Sequence, residues 1–278
     1  MPIVTFWSNS EKTTGQTVSA AAAATVMAMD HNYKTILISV DIDNHRLEKC
    51  FGEQQSNRAL VRSLISGPQI NIDTGVQGLL KLAKSNRVMP DTVKDYTKII
   101  YKNRLEVLYS SSSKEIPAEE QLECFRTIIL NASKYYDYVF VDLKKGLYHS
   151  KILDILDLSS AIVLTTEQTT DTLQEFARIK EMQKYIRSGK ILWTISKYDR
   201  HSKYNEKNLT RTIWKKQEVY AIPYNTLLFE ATNEGMLADV LLRFKTIKTE
   251  DENIELLEEI ARLNEAIIRR CQETQGRI

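Results

Sequence analysis

The sequence lacks the features that define several common classes of protein. Its three cysteines are far apart and have no ligand spacing, so they indicate reduced thiols rather than a disulfide framework or a zinc site. The four histidines are scattered and suggest no metal cluster. No apolar run approaches the roughly 20 residues that a membrane span needs. The first predicted strand begins at residue 3, so we expect no signal peptide and a cytoplasmic protein.

Motifs of several enzyme classes are also missing from the sequence, namely G-x-S-x-G, H-E-x-x-H, C-x-x-C and G-x-G-x-x-G. The hydrophobic content of 42% and charged content of 27% are ordinary for a soluble globular chain. No linker rich in Pro, Gly or Ser and no internal repeat divides the 278 residues. We therefore expect one domain over 1–250, followed by a C-terminal amphipathic helix over 251–278.

Short β-branched or aromatic runs alternate with helical patterns along the chain. The strands are continuous in hydrophobicity, as strands buried on both faces should be. They are predicted at Ile3–Trp7, Thr35–Asp41, Leu105–Tyr109, Tyr138–Asp142, Ala161–Thr165, Ile191–Ser196 and Val219–Ile222. Helices are predicted near 17–30, 57–66, 74–85, 119–135, 171–187, 205–217 and 235–247, with an extra helix or lid over 86–102. This alternation predicts an α/β fold with a doubly wound, mostly parallel sheet.

A polar loop joins the first strand to the first helix. It ends in Thr14-Gly15-Gln16-Thr17, and the helix continues through five alanines at Ala20–Ala24. A strand, a tight loop and a helix N-terminus form the setting of a nucleotide phosphate loop. Gly15 would let backbone N–H groups approach phosphate oxygens, and the Thr17 hydroxyl suits Mg²⁺. The small alanines favour close packing of this helix on the sheet over helix propensity alone.

The loop, the strand ending Val40-Asp41-Ile42-Asp43 and the later Tyr138-Val139-Phe140-Val141-Asp142 together resemble the MinD/ParA superfamily of P-loop ATPases. The segments Ile195–Asp199 and Ile222–Asn225, with 231–235, resemble its TadZ/CpaE-like pilus-assembly branch. The resemblance spans roughly residues 1–247. It implies a nucleotide-dependent homodimer that works with a protein partner to position a larger assembly.

The resemblance also implies roles for individual residues. Mg²⁺ would lie near Thr17 and Asp142, and Asp41 or Asp43 would orient the attacking water. The alternative for each aspartate is a helix cap or turn residue. ATP or ADP would contact Lys12, Thr13, Thr14, Gly15, Gln16, Thr17, Val18, Ser196 and Pro223.

Several residues depart from the pattern of that superfamily. Gln16 stands where its phosphate-binding lysine should be, and Glu11 stands where another lysine reaches across the dimer. Lys12 and Thr13 replace two glycines, and Ser196 replaces an asparagine that recognises adenine. Because an amide carries no positive charge, we expect weakened binding of ATP or ADP with Mg²⁺ and inefficient hydrolysis.

Positive charge is concentrated between Lys184 and Lys216. This segment contains ten Lys or Arg and two acidic residues, a net charge of +8, so the rest of the chain carries −6. Tyrosines and tryptophans are interleaved with the basic residues. Such a face suits non-specific DNA binding. The alternative is a solvated surface whose aromatic residues turn into the core.

The C-terminal helix carries one apolar stripe at Leu256, Ile260, Leu263 and Ile267. Residues 251–278 have seven acidic residues and four arginines, a net charge of −3. An anionic membrane would repel this segment, so we expect the stripe to pack against the domain or a partner helix.

Three functional hypotheses follow from these observations. The first is a localisation factor with weak or absent ATP hydrolysis, favoured by Gln16 and Glu11. The second is an active ATPase that partitions DNA, favoured by the basic segment and opposed by Gln16. The third is a structural adaptor that uses the fold without nucleotide, favoured by Thr13 and Ser196.

Overall fold

Eight strands form a single sheet in the computed structural model. The structure describes residues 1–8, 10, 14–41, 46–52, 76–110, 115–143, 146, 150–169, 183–208, 218–246 and 251–276. The strands are β1 Ile3–Trp7, β2 Thr35–Val40, β3 Lys98–Tyr101, β4 Leu105–Leu108, β5 Tyr138–Leu143, β6 Ala161–Thr166, β7 Ile191–Tyr198 and β8 Val219–Pro223. Their order is β3-β4-β2-β5-β1-β6-β7-β8, and only the β3–β4 pair is antiparallel.

Helices cover both faces of this sheet. They are α1 Gln16–Asp30, α2 Arg46–Phe51, α3 Val76–Lys84, α4 Ala118–Ala132, α5 Ser150–Leu158, α6 Gln183–Arg187, α7 Thr226–Glu234, α8 Leu237–Thr246 and α9 Asp251–Gln275, with a 3₁₀ turn at Val93–Tyr96. Alternate residues of a strand point to opposite faces. In β2, Ile36 and Ile38 join the core beneath α3, α4 and α5, whereas Leu37 joins the core beneath α1, α8 and α9.

The predicted doubly wound α/β fold is confirmed. All the predicted strands are present, and their ends differ from the prediction by at most two residues. The expected helix or lid over 86–102 is wrong, because the chain forms the 3₁₀ turn and then β3. Strand β3 is a short antiparallel edge strand whose side chains are only partly buried, so it lacks the hydrophobic signal of the central strands.

The helix predictions are confirmed only in part. The predicted helix over 57–66 lies outside the described residues, as do most of those over 171–187 and 205–217. Helix α7 was not predicted, and α8 begins only after Gly235. This glycine has φ of 76°, and a Cβ on it would lie 2.7 Å from backbone atoms of Gly52. Glycine therefore separates two helices that the sequence pattern did not resolve.

Helix α1 packs on the sheet, and α9 lies beside it over β6 and β8. The five alanines Ala20–Ala24 are completely buried, which confirms the predicted close packing. The Asn264 side chain of α9 donates to the backbone oxygen of Ala23 at 3.0 Å. The apolar stripe of α9 is fully buried against the same core as α1. Helix α9 is therefore an integral part of this face, and it packs along α1.

Candidate functional site

The carboxyl ends of the parallel strands meet at one edge of the sheet, where the loop after β1 enters α1. Strand β1 lies between β5 and β6, and Phe6 of β1 pairs with Asp142 of β5. Ser196 lies near the end of β7 and contacts the same loop. This edge is where open α/β sheets bind their ligands.

Gly15 is the residue before α1 and adopts a left-handed conformation, with φ of 73° and ψ of 9°. A Cβ at this position would lie 2.7 Å from the Ser196 Oγ. Both the backbone conformation and the space therefore require glycine. The first turn of α1 contains no acidic residue, so its N-terminal N–H groups keep their partial positive charge. This helix end suits an anion.

Gln16, the first residue of α1, turns its side chain inward and is only 1% exposed. Its Nε2 donates to Asp142 Oδ1 at 2.7 Å and to the Leu143 backbone oxygen at 2.7 Å. Both donor hydrogens of the carboxamide are thus used. Its Oε1 is buried and has no hydrogen-bond partner among the described residues. The side chain at the position expected for a phosphate-binding lysine instead fastens α1 to the end of β5.

Asp142 is the penultimate residue of the central strand β5 and is 2% exposed. A buried carboxylate needs hydrogen-bond donors to offset its desolvation, and the Gln16 carboxamide is one of them. The charge of Asp142 also reaches Cys50 of α2. Burial first, and then this nearby carboxylate, raise the pKa of the Cys50 thiol far above its usual value. Cys50 is consequently a neutral, inert thiol beneath the site.

Asp41 follows β2 and is partly exposed at the same sheet edge. Its backbone oxygen accepts a hydrogen bond from Ser110 Oγ at 2.7 Å, and Ser110 also bonds Ser39 at 3.1 Å. Since Ser39 pairs with Asp142 across β2 and β5, Asp41 lies beyond the end of the strand next to Asp142. The other predicted aspartate, Asp43, lies outside the described residues.

A small apolar cavity lies between α1, the ends of β7 and β8, and α7. Its volume is about 60 Å³, and its lining includes Gly15, Val18, Ser196, Lys197, Pro223 and Phe229. Ligand pockets occupy roughly 300–1,000 Å³, and a water molecule takes about 30 Å³. The predicted base-binding residues Val18, Ser196 and Pro223 are therefore together, but the space between them admits water and not a purine.

Ser196 also closes this cavity from the loop side. Its hydroxyl donates to the Thr14 backbone oxygen, so it is engaged within the protein. The Thr14 hydroxyl is buried without a partner among the described residues. Thr17 lies in the first turn of α1 and is largely buried. The predicted contacts Lys12 and Thr13, together with Glu11, lie outside the described residues.

Sequence reasoning missed Lys197, the residue after Ser196. It has φ of 54°, which is unusual for a lysine, and it lies at a bulge where the register of β7 and β8 shifts. Its Cε would lie 3.8 Å from a Cβ on Gly15. Asn225 was also missed as a capping residue: it accepts from the Leu228 N–H at the start of α7 and donates to Asn253 of α9. A polar residue before the helical pattern at 226 was the available signal.

The residues present can be compared with what a magnesium–nucleotide complex requires. The α1 N-terminus and Gly15 fit a phosphate. Magnesium requires near-octahedral coordination and keeps several of its waters, whereas Asp142 is buried and bonded to Gln16. The cavity beside Ser196 is too small for a base. The arrangement thus fits an anion but does not fit a magnesium–nucleotide complex. Within the described residues, no group of three or more His, Cys, Asp or Glu is placed to hold a metal.

The described part of the basic segment is partly neutralised by neighbouring acids. Lys184 pairs with Asp157 at 2.6 Å, and Arg200 pairs with Glu255. Burial lowers the pKa of Lys190. The residues from 209 to 216, which include three of the ten cations, lie outside the described part of the chain.

The aromatic residues of that segment mostly turn inward. Tyr185 and Trp193 are buried in the core, and Tyr198 and Tyr204 pack against it. Stacking on nucleic-acid bases requires exposed rings. This arrangement agrees with the alternative of a solvated surface whose aromatic residues belong to the core.

Three solved structures are similar to this chain over nearly its whole length. A ParA family ATPase from Chlorobium tepidum matches with a TM-score of 0.68 and 14% identity, covering 95% of this chain and 98% of its own. The septum site-determining protein MinD from Pyrococcus horikoshii, complexed with Mg-ADP, matches with a TM-score of 0.63 and 15% identity, covering 94% of each chain. A chain of the MinC:MinD cell division complex from Aquifex aeolicus matches with a TM-score of 0.62 and 15% identity, covering 95% and 96%.

No protein-family model and no curated protein matches the sequence. At identities of 14% to 15%, the likeness concerns the fold. The chain has the mostly parallel P-loop NTPase fold of ParA- and MinD-type ATPases. In the described residues, every helix is too short or too polar to cross a lipid bilayer.

Proposed function

We propose that this chain is a dimerising localisation factor of the ParA/MinD type in which ATP hydrolysis is weak or absent. It would position a larger assembly, such as pilus or secretion machinery. The observation that carries the proposal is the pairing of Gln16 with Asp142 at the helix end that suits an anion. The fold is retained while the charged group expected at position 16 is replaced by a neutral one.

The chemistry of position 16 supports weak hydrolysis. A lysine there would supply a positive charge to phosphate oxygens, and hydrogen bonds to charged groups are worth about 1.5–3 kcal/mol. Loss of one such bond weakens nucleotide binding about tenfold or more. The effect on turnover is larger, because negative charge develops on the phosphoryl group in the transition state.

The similar structures support a nucleotide as the ligand class. The P. horikoshii MinD structure holds Mg-ADP, so ATP and ADP, each with and without Mg²⁺, are the ligands to test first. In this chain Gly15 and Thr17 would contact the phosphates, and Asp41 or Asp43 would orient a water. Ser196 and Pro223 would border the base once the cavity beside them opened. Each of these roles is part of the proposal.

An exposed apolar surface supports a protein partner or a second subunit. Tyr224, Leu227, Phe229 and Met236 are 46% to 53% exposed, and all lie on α7 or immediately beside it. Exposed apolar residues that form one patch are typical of interaction sites, and we propose that these four form one. We call these four residues the α7 patch. Two of them, Tyr224 and Phe229, have ring centroids 6.3 Å apart, and both border the small cavity.

The compartment we propose is the cytoplasm. The three cysteines are free and buried in the structure. Unpaired thiols are typical of a reducing environment.

Release of phosphate from ATP with Mg²⁺ tests the proposal. We expect the wild type to show turnover near the background of the assay, and Gln16→Lys to create or raise it. Brisk turnover by the wild type would contradict weak hydrolysis. Gln121→Lys is the matched control, since Gln121 is a buried glutamine of α4, on the other face of the sheet from α1, that bonds the Ile116 backbone oxygen.

Light scattering coupled to size exclusion tests the dimer. We expect Leu227→Glu with Phe229→Glu to convert a dimer to a monomer. Met89→Glu is the control, because Met89 is a still more exposed apolar residue, at 65%, outside the α7 patch. A dimer that survives the first pair of changes would contradict the α7 patch as its interface.

A nucleotide-free structural adaptor is the second candidate. The small cavity beside Ser196 and the internal hydrogen bond of its hydroxyl favour it. Titration calorimetry with ATP and ADP separates the two functions: binding supports the first, and no heat with either nucleotide supports the adaptor.

A further inference from the structure

The Gln16–Asp142 contact has a specific consequence for metal binding at this edge of the sheet. We infer that the Gln16 carboxamide replaces a metal ion as the partner of Asp142, so that a phosphate-bearing ligand binds here without Mg²⁺. The identity of that ligand rests on the proposed function, whereas the exclusion of metal rests on the contact itself.

Burial and bonding make the contact hard to displace. Both carboxamide hydrogens are engaged, at 2.7 Å each, and the side chains of Gln16 and Asp142 are 1% and 2% exposed. A hydrated magnesium ion would need room between the two side chains. It would also need an oxygen of Asp142 as a ligand. Its entry would leave the Gln16 Nε2 buried with at least one donor unsatisfied, and a buried donor without an acceptor is costly. We expect this cost to weaken metal binding by about tenfold or more.

The geometry also explains why glutamine in particular suits this place. A carboxamide offers two donors in one plane, which match the Asp142 carboxylate and the Leu143 carbonyl oxygen at the end of β5. The Gln16 carboxamide contributes hydrogen bonds to this pair and no charge. The contact uses the Gln16 side chain and leaves the backbone N–H groups of the α1 N-terminus available to a ligand. Anion binding and metal exclusion are therefore compatible.

The α1 N-terminus is held in place independently of any ligand. Gln16 ties it to β5, the Ser196 hydroxyl ties the preceding Thr14 to β7, and Asn264 ties the middle of α1 to α9. The first two contacts join the start of α1 to β5 and β7 at the site, and the third anchors the helix farther along. These hydrogen bonds are made by the protein's own residues and need no cofactor.

Titration calorimetry with ADP in excess Mg²⁺ and in EDTA tests the inference. We expect the dissociation constant of the wild type to agree within about twofold between the two conditions. In Gln16→Lys, whose side chain is free to turn to the phosphates, we expect Mg²⁺ to tighten ADP binding by about tenfold or more. A tenfold effect of Mg²⁺ on the wild type would overturn the inference, as would its absence in Gln16→Lys. Gln121→Lys controls for a buried lysine elsewhere, and circular dichroism confirms that each variant is folded.

If the wild type binds no ADP in either condition, the nucleotide part of the proposed function fails, and the metal part is decided without nucleotide. The measurement is then the change in melting temperature caused by Mg²⁺ alone. We expect no change in the wild type and a rise of about 2–4 °C in Gln16→Ala that disappears in Gln16→Ala with Asp142→Asn. A rise in the wild type that Asp142→Asn abolishes would refute metal exclusion, and so would the lack of any rise in Gln16→Ala.

Discussion

Replacing Gln16 by methionine should destabilise the protein substantially more than the same replacement of Gln121, another buried glutamine. Methionine has a comparable length, but it cannot donate to Asp142 Oδ1 or to the Leu143 oxygen, and both bonds are 2.7 Å long. A bond to a carboxylate is worth about 1.5–3 kcal/mol and a bond to a neutral carbonyl about 0.5–1.5 kcal/mol. We therefore expect a loss of about 2–4 kcal/mol in the free energy of unfolding, or a fall of about 5–15 °C in melting temperature.

Urea unfolding followed by tryptophan fluorescence measures this loss. The control is Gln121→Met, because Gln121 is also buried but its side chain donates to the neutral Ile116 oxygen at 2.6 Å. We expect that variant to lose about 0.5–1.5 kcal/mol. Equal losses in the two variants would show that the Gln16 carboxamide does not stabilise a buried carboxylate, and the reasoning about the site would be refuted.

Further predictions concern the glycine, the thiols, the C-terminal helix and the basic segment. Gly15→Ala should cost about 2–4 kcal/mol in urea unfolding, because its Cβ would meet the Ser196 Oγ at 2.7 Å in a left-handed backbone; a neutral result would contradict that geometry. The three cysteines should resist a thiol reagent at pH 8 until the chain unfolds, since all are buried and burial raises their pKa, which keeps the reactive thiolate scarce; fast labelling of the native protein would oppose this. Leu263→Ala should cost about 2–5 kcal/mol, measured by the same unfolding assay, and a loss below 1 kcal/mol would show that α9 is not part of the core. Duplex DNA should show no salt-sensitive retention, and retention that Lys203→Glu with Lys207→Glu abolishes would instead establish a DNA-binding face.

The central strands could be predicted because burial on both faces leaves a direct signal in the sequence. Runs such as Ile3–Trp7 and Tyr138–Leu143 are apolar at nearly every position and are buried throughout. Strand Lys98–Tyr101 carries no such signal, since it lies at the sheet edge with partly exposed side chains. Helix α7 escaped prediction because its apolar residues Leu227 and Phe229 face outward and obscure the usual periodicity.

The location of the candidate site could be predicted, whereas its internal contacts could not. Parallel strands bring their carboxyl ends to one edge, so Asp142 and the loop before α1 were expected together. Gln16 bonds Asp142, which is 126 residues away. This contact depends on the directions of two side chains and the distance between them, which cannot be read from a single sequence. The pairing of Ser196 with the Thr14 oxygen is a contact of the same kind. The sequence indicated that position 16 lacks a positive charge, but only the structure shows that Gln16 bonds Asp142.

The side-chain amide resonances of Gln16 test the central claim most directly. In a ¹⁵N–¹H spectrum they are assigned by their loss in Gln16→Ala, and two buried, hydrogen-bonded N–H groups should exchange slowly with solvent. The account predicts that both resonances are protected and do not move when Mg²⁺ is added to excess. Rapid exchange, or a shift of both resonances that saturates with Mg²⁺, would contradict it.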